Sequence, residues 1–138
     1  ILAKLVGERG KVYGIEVDKK LFHFSINNLE KNNEKKVKLF LGDGTRGLDI
    51  EKKGPLGVSK RNNELFDRII LTGAVPDLPF PLKEQLKKGG KILAPIGNQF
   101  TQQIIVFGKT STHMEEIKKL GYFKLEPLKG IYGFKTFW

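Results

Sequence analysis

The sequence predicts an α/β domain with a doubly wound, mostly parallel sheet. Three observations lead there. Short β-prone runs alternate with segments of helical periodicity. One run, Phe66-Asp-Arg-Ile-Ile-Leu-Thr72, is apolar enough to be a strand covered on both faces. Acids and glycines close successive strands, where ligands of such sheets sit.

Taken in order, Ile1-Leu-Ala-Lys-Leu-Val-Gly7 reads as the back end of a helix, with Leu2, Leu5 and Val6 at helical spacing and Gly7 as its stop. A chain that opens in mid-helix is expected to be a fragment. Lys11-Val-Tyr-Gly-Ile-Glu16 is the first strand. Asp18 can cap a helix running to about Asn32, in which Phe22, Ile26 and Leu29 form one apolar stripe. Val37–Leu41 is the second strand, broken by Gly42-Asp43-Gly44, and Phe66–Thr72 is the third. Pro81 suits the first turn of a helix through Lys88, which Gly89-Gly90 would terminate. Lys91–Ile96 and Gln103–Phe107 are two further strands. Thr112 and Glu115 have the spacing of a capping box, which predicts a helix through Leu120 with Gly121 as its stop. Residues 51–63 are polar and rich in turn formers and read as a flexible surface loop; the whole of 1–138 reads as the C-terminal part of one domain.

Composition narrows the function. The 138 residues contain no cysteine and two histidines, His23 and His113, so thiol chemistry is excluded and a histidine-built metal site is not expected. No apolar run is long enough to span a bilayer, and a cytoplasmic setting is the default expectation. The formal charge of +10 comes from 25 Lys+Arg against 15 Asp+Glu. These cations are spread along the chain, and the dense stretches Lys35-Lys36-Val37-Lys38 and Lys52-Lys53 have no interleaved aromatics for base stacking. A solvated basic surface accounts for them, and nucleic acid is not the expected partner.

Three strand ends are candidate sites. Glu16 ends the first strand, where a carboxylate can accept hydrogen bonds from both ribose hydroxyls of an adenosine cofactor. Asp43, flanked by Gly42 and Gly44, follows the second and could accept from an adenine amine while a neighbouring backbone N–H donates to a ring nitrogen. Thr72, Gly73 and Ala74, leading into Val75-Pro76, follow the third and would line the place where reacting groups meet. Each feature is also ordinary turn chemistry when taken alone. Their succession at consecutive strand ends is what points to a nucleotide cofactor. A glycine-rich loop should precede such a ribose acid by about 20 residues, which places it just upstream of Ile1.

Several blocks then resemble one family. Lys11–Glu16, Ser25-Ile-Asn-Asn-Leu29, Leu41-Gly-Asp-Gly-Thr-Arg-Gly47, Phe66–Pro76 and Leu82–Gln99 look like consecutive blocks of the protein-L-isoaspartate O-methyltransferases, as does Lys124–Tyr132 near the end. The run Gly-Gly-Lys-Ile-Leu-Ala-Pro-Ile-Gly97, with its proline inside a strand, separates this family from other methyltransferases. After Ile131-Tyr132 the chain departs from the family's apolar-Pro-Leu ending and runs Gly-Phe-Lys-Thr-Phe-Trp138.

The resemblance implies a Rossmann-like methyltransferase fold with S-adenosyl-L-methionine as cofactor. Glu16 corresponds to the ribose acid, and Asp43 with Gly42 and Gly44 to the adenine contacts. Asn98 and Gln99 fall near the cofactor or substrate mouth, a simple polar turn being the alternative. The implied reaction is methylation of the α-carboxylate of isoaspartyl residues in damaged proteins, with a monomer as the expected complete form. The catalytic segment and the glycine-rich loop are expected upstream of Ile1. The 138 residues alone are therefore expected to be inactive, and partly folded or aggregated, because a missing central strand leaves its neighbours unpaired. Another methyltransferase acting on RNA or a small molecule, or a pseudoenzyme of the same fold, remains an alternative. Thr72-Gly-Ala-Val-Pro76 stands where RNA enzymes of this fold carry an acid/Asn-Pro-Pro-aromatic motif, which weighs against the RNA version.

Overall fold

A computed structural model describes residues 1–48 and 66–135. The expected surface loop at 51–63 and the end of the tail lie outside the described residues. The chain divides into two compact units, Ile1–Gly44 and Thr45–Trp138.

The first unit opens with a short helix, α1 (Leu2–Leu5), followed by Gly7 at φ 75°, a left-handed conformation that glycine adopts without steric cost. Strand β1 (Val12–Glu16), helix α2 (Lys19–Lys31) and strand β2 (Val37–Leu41) then form a β-α-β unit. The two strands pair in parallel, in register from Val12↔Val37 to Glu16↔Leu41. Asp18 caps α2 as expected, its Oδ1 accepting from the backbone N–H groups of Lys20 at 2.7 Å and Leu21 at 3.0 Å. Phe22, Ile26 and Leu29 are its half-buried stripe, and His23 on the same helix is exposed. Asn33 takes a left-handed φ of 48° just past the helix, the conformation in which helices commonly end.

The second unit holds β3 (Phe66–Ile70), α3 (Phe80–Gln85), β4 (Leu86–Gly97), β5 (Gln102–Lys109) and β6 (Met114–Phe123). They make a four-stranded sheet in the order β3-β4-β5-β6, with β3 parallel to β4 and the two later pairings antiparallel. Its core is Leu71, Val75, Leu78, Leu82, Leu86, Ile92 and Ala94, with Phe107, Met114 and Leu128 packed against it. Among the described residues no helix is long and apolar enough to cross a membrane.

Three sequence expectations are corrected here. The helix expected over 112–120 is strand β6. The hydroxyl of Thr110, not that of Thr112, organises the turn: Thr110 Oγ1 accepts from the N–H groups of Thr112 at 3.3 Å and His113 at 3.0 Å. That reverses the chain, and β6 then satisfies the open edge of β5 from Gln102↔Phe123 to Lys109↔Met114. Ladder bonds along a whole edge outweigh one local capping signal.

The helix expected to reach Lys88 ends at Gln85. Leu86 is already extended at ψ 131° and fully buried, so the core takes it into β4. The Lys109 ammonium seals the helix end by donating to the carbonyls of Lys83 at 3.0 Å, Glu84 at 3.3 Å and Leu86 at 2.7 Å. Gly89, at φ 73°, kinks a bulge within β4 instead of stopping a helix: the pairing passes from Phe66↔Leu86 to Arg68↔Lys91. Lastly, β3 ends at Ile70 and not at Thr72; among the described residues its one strand partner is β4, and Ile70 is 47% exposed, in line with the unpaired neighbour that the sequence predicts.

Candidate functional site

The first unit brings two of the predicted acids to one end of its parallel pair. The ladder that closes with Glu16↔Leu41 continues for one more bond, the Gly42 N–H donating to the Glu16 carbonyl at 2.9 Å. Gly42-Asp43-Gly44 therefore leaves β2 directly beside the end of β1. Glu16 Oε1 accepts from the Asp18 N–H at 2.8 Å, which holds the turn into α2 and fixes the carboxylate at the strand end. A carboxylate has lone pairs for further donors after that one bond. Both Glu16 and Asp43 are half-buried, and Asp43 is engaged in an interaction of its own. No heavy atom lies within 4 Å of where a Gly42 side chain would begin, so the strand end opens onto space. Carboxylate acceptors beside open backbone at a parallel strand end are a set of groups that fits the hydroxyls and amine of a nucleoside.

The second unit collects the other predicted residues at the carboxyl ends of β3 and β4. Thr72 is exposed, whereas Gly73 and Ala74 are buried, Ala74 completely. The backbone of Ala74 is bonded on both sides to the tail: its N–H donates to the Glu126 carbonyl at 2.9 Å, and its carbonyl accepts from Leu128 N–H at 2.8 Å. A Cβ on Gly73 would stand 3.0 Å from the Glu126 carbonyl oxygen, so the close approach of the tail favours glycine there. Gly73 and Ala74 thus seat the tail, and of the three only Thr72 presents its side chain to solvent.

Next to them, Val75 bridges β4, donating to the Pro95 carbonyl at 3.0 Å and accepting from Gly97 N–H at 3.1 Å. Pro95 stands where the ladder from β3 ends: the last bond runs from Leu71 N–H to the Leu93 carbonyl at 2.9 Å, and the next would need the N–H that proline lacks. Asn98 forms the polar turn between β4 and β5, its Oδ1 accepting from Phe100 N–H at 2.8 Å and Thr101 N–H at 3.0 Å. Gln99 at its tip is exposed.

Gln102 and Thr45, which the sequence did not single out, tie this region together. Gln102 is 1% exposed; its Nε2 donates to the Asn98 carbonyl at 2.6 Å and its Oε1 accepts from Leu125 N–H at 2.7 Å. Thr45 is fully buried and its Oγ1 accepts from Tyr132 N–H at 3.1 Å. The available signal for the first was a glutamine at the mouth of the apolar run Ile104-Ile-Val-Phe107, on the same strand face as Ile104. Gln102→Leu is expected to destabilise the second unit by about 1–3 kcal/mol, because the Asn98 carbonyl and the Leu125 N–H lose a fully buried partner together. Urea unfolding checks this, and the amides of 124–128 should gain hydrogen-exchange rate first. Unchanged stability with unchanged exchange would contradict it.

Among the described residues no group of three or more His, Cys, Asp or Glu side chains could hold a metal ion. His113 lies in the β5–β6 turn against the hydroxyls of Thr110 and Thr112.

Residues 1–129 match the family model described as protein-L-isoaspartate(D-aspartate) O-methyltransferase. The protein-L-isoaspartate O-methyltransferase of Methanothrix thermoacetophila is 35% identical, over 100% of this chain and 59% of its own length. That of Hyperthermus butylicus is 37% identical over 93% of this chain and 48% of its own. The Methanococcoides burtonii protein of the same name is 35% identical over 97% and 60%. The chain thus spans about half to three-fifths of the length of these relatives. A solved protein-L-isoaspartate O-methyltransferase superposes with a TM-score of 0.78 at 24% identity, over 96% of this chain and 38% of that one. A Plasmodium falciparum structure described as a beta-aspartate methyltransferase, in complex with S-adenosyl-L-homocysteine, gives a TM-score of 0.60 at 23% identity, over 84% and 52%. At those identities the structures speak for the fold, a Rossmann-like methyltransferase sheet.

Proposed function

Since the chain belongs to the protein-L-isoaspartate(D-aspartate) O-methyltransferase family, we propose that it forms part of an enzyme that methylates the α-carboxylate of isoaspartyl residues in proteins, with S-adenosyl-L-methionine as donor. The observation that carries this reading is the pair of acids at adjacent parallel strand ends, joined by the Gly42–Glu16 backbone bond. In it Glu16 holds the ribose hydroxyls, and Asp43, with the backbone of Gly42 and Gly44, holds the adenine. Thr72, Asn98 and Gln99 are the residues we assign to the substrate, and Gly73 and Ala74 seat the tail next to Thr72.

When bound, the cofactor supplies a methyl group on a positively charged sulfur. The nucleophile is the substrate's own carboxylate, ionised at neutral pH because its reference pKa is about 3.5. No general base is needed from this chain, and the relevant contribution of its residues is orientation. Two fixed acceptors on one nucleoside remove rotational freedom before reaction, and such positioning is a large part of catalysis in bimolecular transfers. Among the family's possible substrates, proteins and peptides bearing isoaspartate are the proposed partners, and the proposed working form is a monomer.

The test is methyl transfer by the full-length protein to an isoaspartyl peptide beside its aspartyl counterpart. Labelling of the isoaspartyl peptide alone is expected. Equal labelling of both, or labelling of RNA in preference to either, would replace this reading with another substrate class.

A further inference from the structure

A basic cleft lies at the opposite end of β1 and β2 from the two acids. Its volume is about 390 Å³, and Arg9, Lys11, Lys35, Lys36 and Lys38 line it with Glu8 as the one acid. Local folding gathers these charges. The turn between α1 and β1 is tight at Gly10, where a Cβ would collide with the Val6 carbonyl oxygen. That turn delivers Arg9 and Lys11 to the start of β1. The Val12 N–H donates to the Lys36 carbonyl at 3.0 Å, which sets the 35–38 segment alongside. Lys36 is held at both ends: its N–H donates to Glu34 Oε1 at 2.8 Å and its ammonium to the Gly7 carbonyl at 3.0 Å. A carbonyl positions an ammonium without neutralising it.

Five cations against one acid in one concavity repel each other, and none of the five makes an ion pair among the described residues. Such a concentration of one sign is a field that attracts a dense counter-charge. We propose that this cleft is a binding site for a compact oligophosphate anion. A guanidinium and several ammonium groups are the side chains that recognise phosphate oxygens. The volume is that of a small-ligand site. No aromatic side chain lines it, so it has no platform for stacking the bases of a single-stranded nucleic acid. Four steps of an extended strand separate Val12 from Glu16, roughly 13 Å, so the cleft and the acids are separate sites. The inference is independent of the methyl-transfer reading.

The test is calorimetric titration of the full-length protein with inorganic tripolyphosphate, repeated with orthophosphate and with a single-stranded oligonucleotide. Saturable one-to-one binding of tripolyphosphate is expected, stronger than that of either comparison ligand, with amide shifts centred on Gly10, Lys11 and Lys36. Lys35→Glu/Lys38→Glu should weaken it by at least about tenfold, or roughly 1.4 kcal/mol, while S-adenosylmethionine affinity stays unchanged. The control Lys118→Glu/Lys124→Glu alters net charge equally on the other unit and should leave binding within about twofold, a difference of roughly 0.4 kcal/mol. Equal losses in the two double variants would reduce the effect to overall charge and overturn the proposal. Preferred binding of the oligonucleotide, or no saturable binding of tripolyphosphate, would overturn it as well.

Discussion

Leu86→Ala is expected to lower the stability of the second unit by about 2–5 kcal/mol. Leu86 is fully buried, and it sits where α3 gives way to β4 within the core of Leu71, Val75, Leu78, Leu82, Ile92 and Ala94. Truncation removes apolar burial and also leaves a cavity that the sheet on one side and the helix on the other cannot both collapse into. Leu86→Met nearly conserves volume and should cost less than about 1.5 kcal/mol. Urea unfolding followed by far-ultraviolet circular dichroism distinguishes the two. Equal, small losses for both would mean that the α3–β4 junction is not packed as described.

Asp43→Ala in the full-length protein is expected to weaken S-adenosylmethionine binding by about 1–3 kcal/mol, or roughly 5- to 150-fold. The loss follows if the carboxylate accepts from the cofactor's adenine amine. Asp43 has an interaction within the chain as well, so a change in the loop could mimic a lost contact. Asp43→Asn separates the two, because an amide keeps the size and one acceptor oxygen. It should retain more affinity than the alanine variant while the thermal midpoint of both stays near that of the parent. Isothermal calorimetry showing unchanged affinity for Asp43→Ala would remove this residue from the site.

Local chemistry made much of the molecule legible in advance. Asp18 announces α2 because a carboxylate one residue before a helix satisfies its free N–H groups, and Phe22, Ile26 and Leu29 repeat at the period of the face they bury. β1, β2 and the Gly42-Asp43-Gly44 break were readable for the same reason. The family was legible too, because its blocks keep order and spacing over nearly the whole chain.

Other features had no local signal. Residues 114–120 carry apolar side chains at spacings a helix could use, yet they form β6, because the unpaired edge of β5 sets a backbone requirement that no seven-residue window records. Leu86 to Gly90 read as a helix end with its stop, and became strand because burial of Leu86 and the Lys109 ammonium closed α3 earlier. The bonds that join Asn98, Gln102, Leu125 and Ala74 connect positions tens of residues apart.

By itself, then, the sequence determined the family, the α/β alternation, and the meeting of Glu16 and Asp43 at neighbouring strand ends, since each rests on short-range pattern or on a single β-α-β step. Tertiary structure alone decided that 114–123 pairs with β5 as a strand, where α3 stops, and that Gly73 and Ala74 face the tail instead of solvent. Those outcomes depend on which backbone groups remain unpaired after the sheet has formed, and that is a property of the assembled chain.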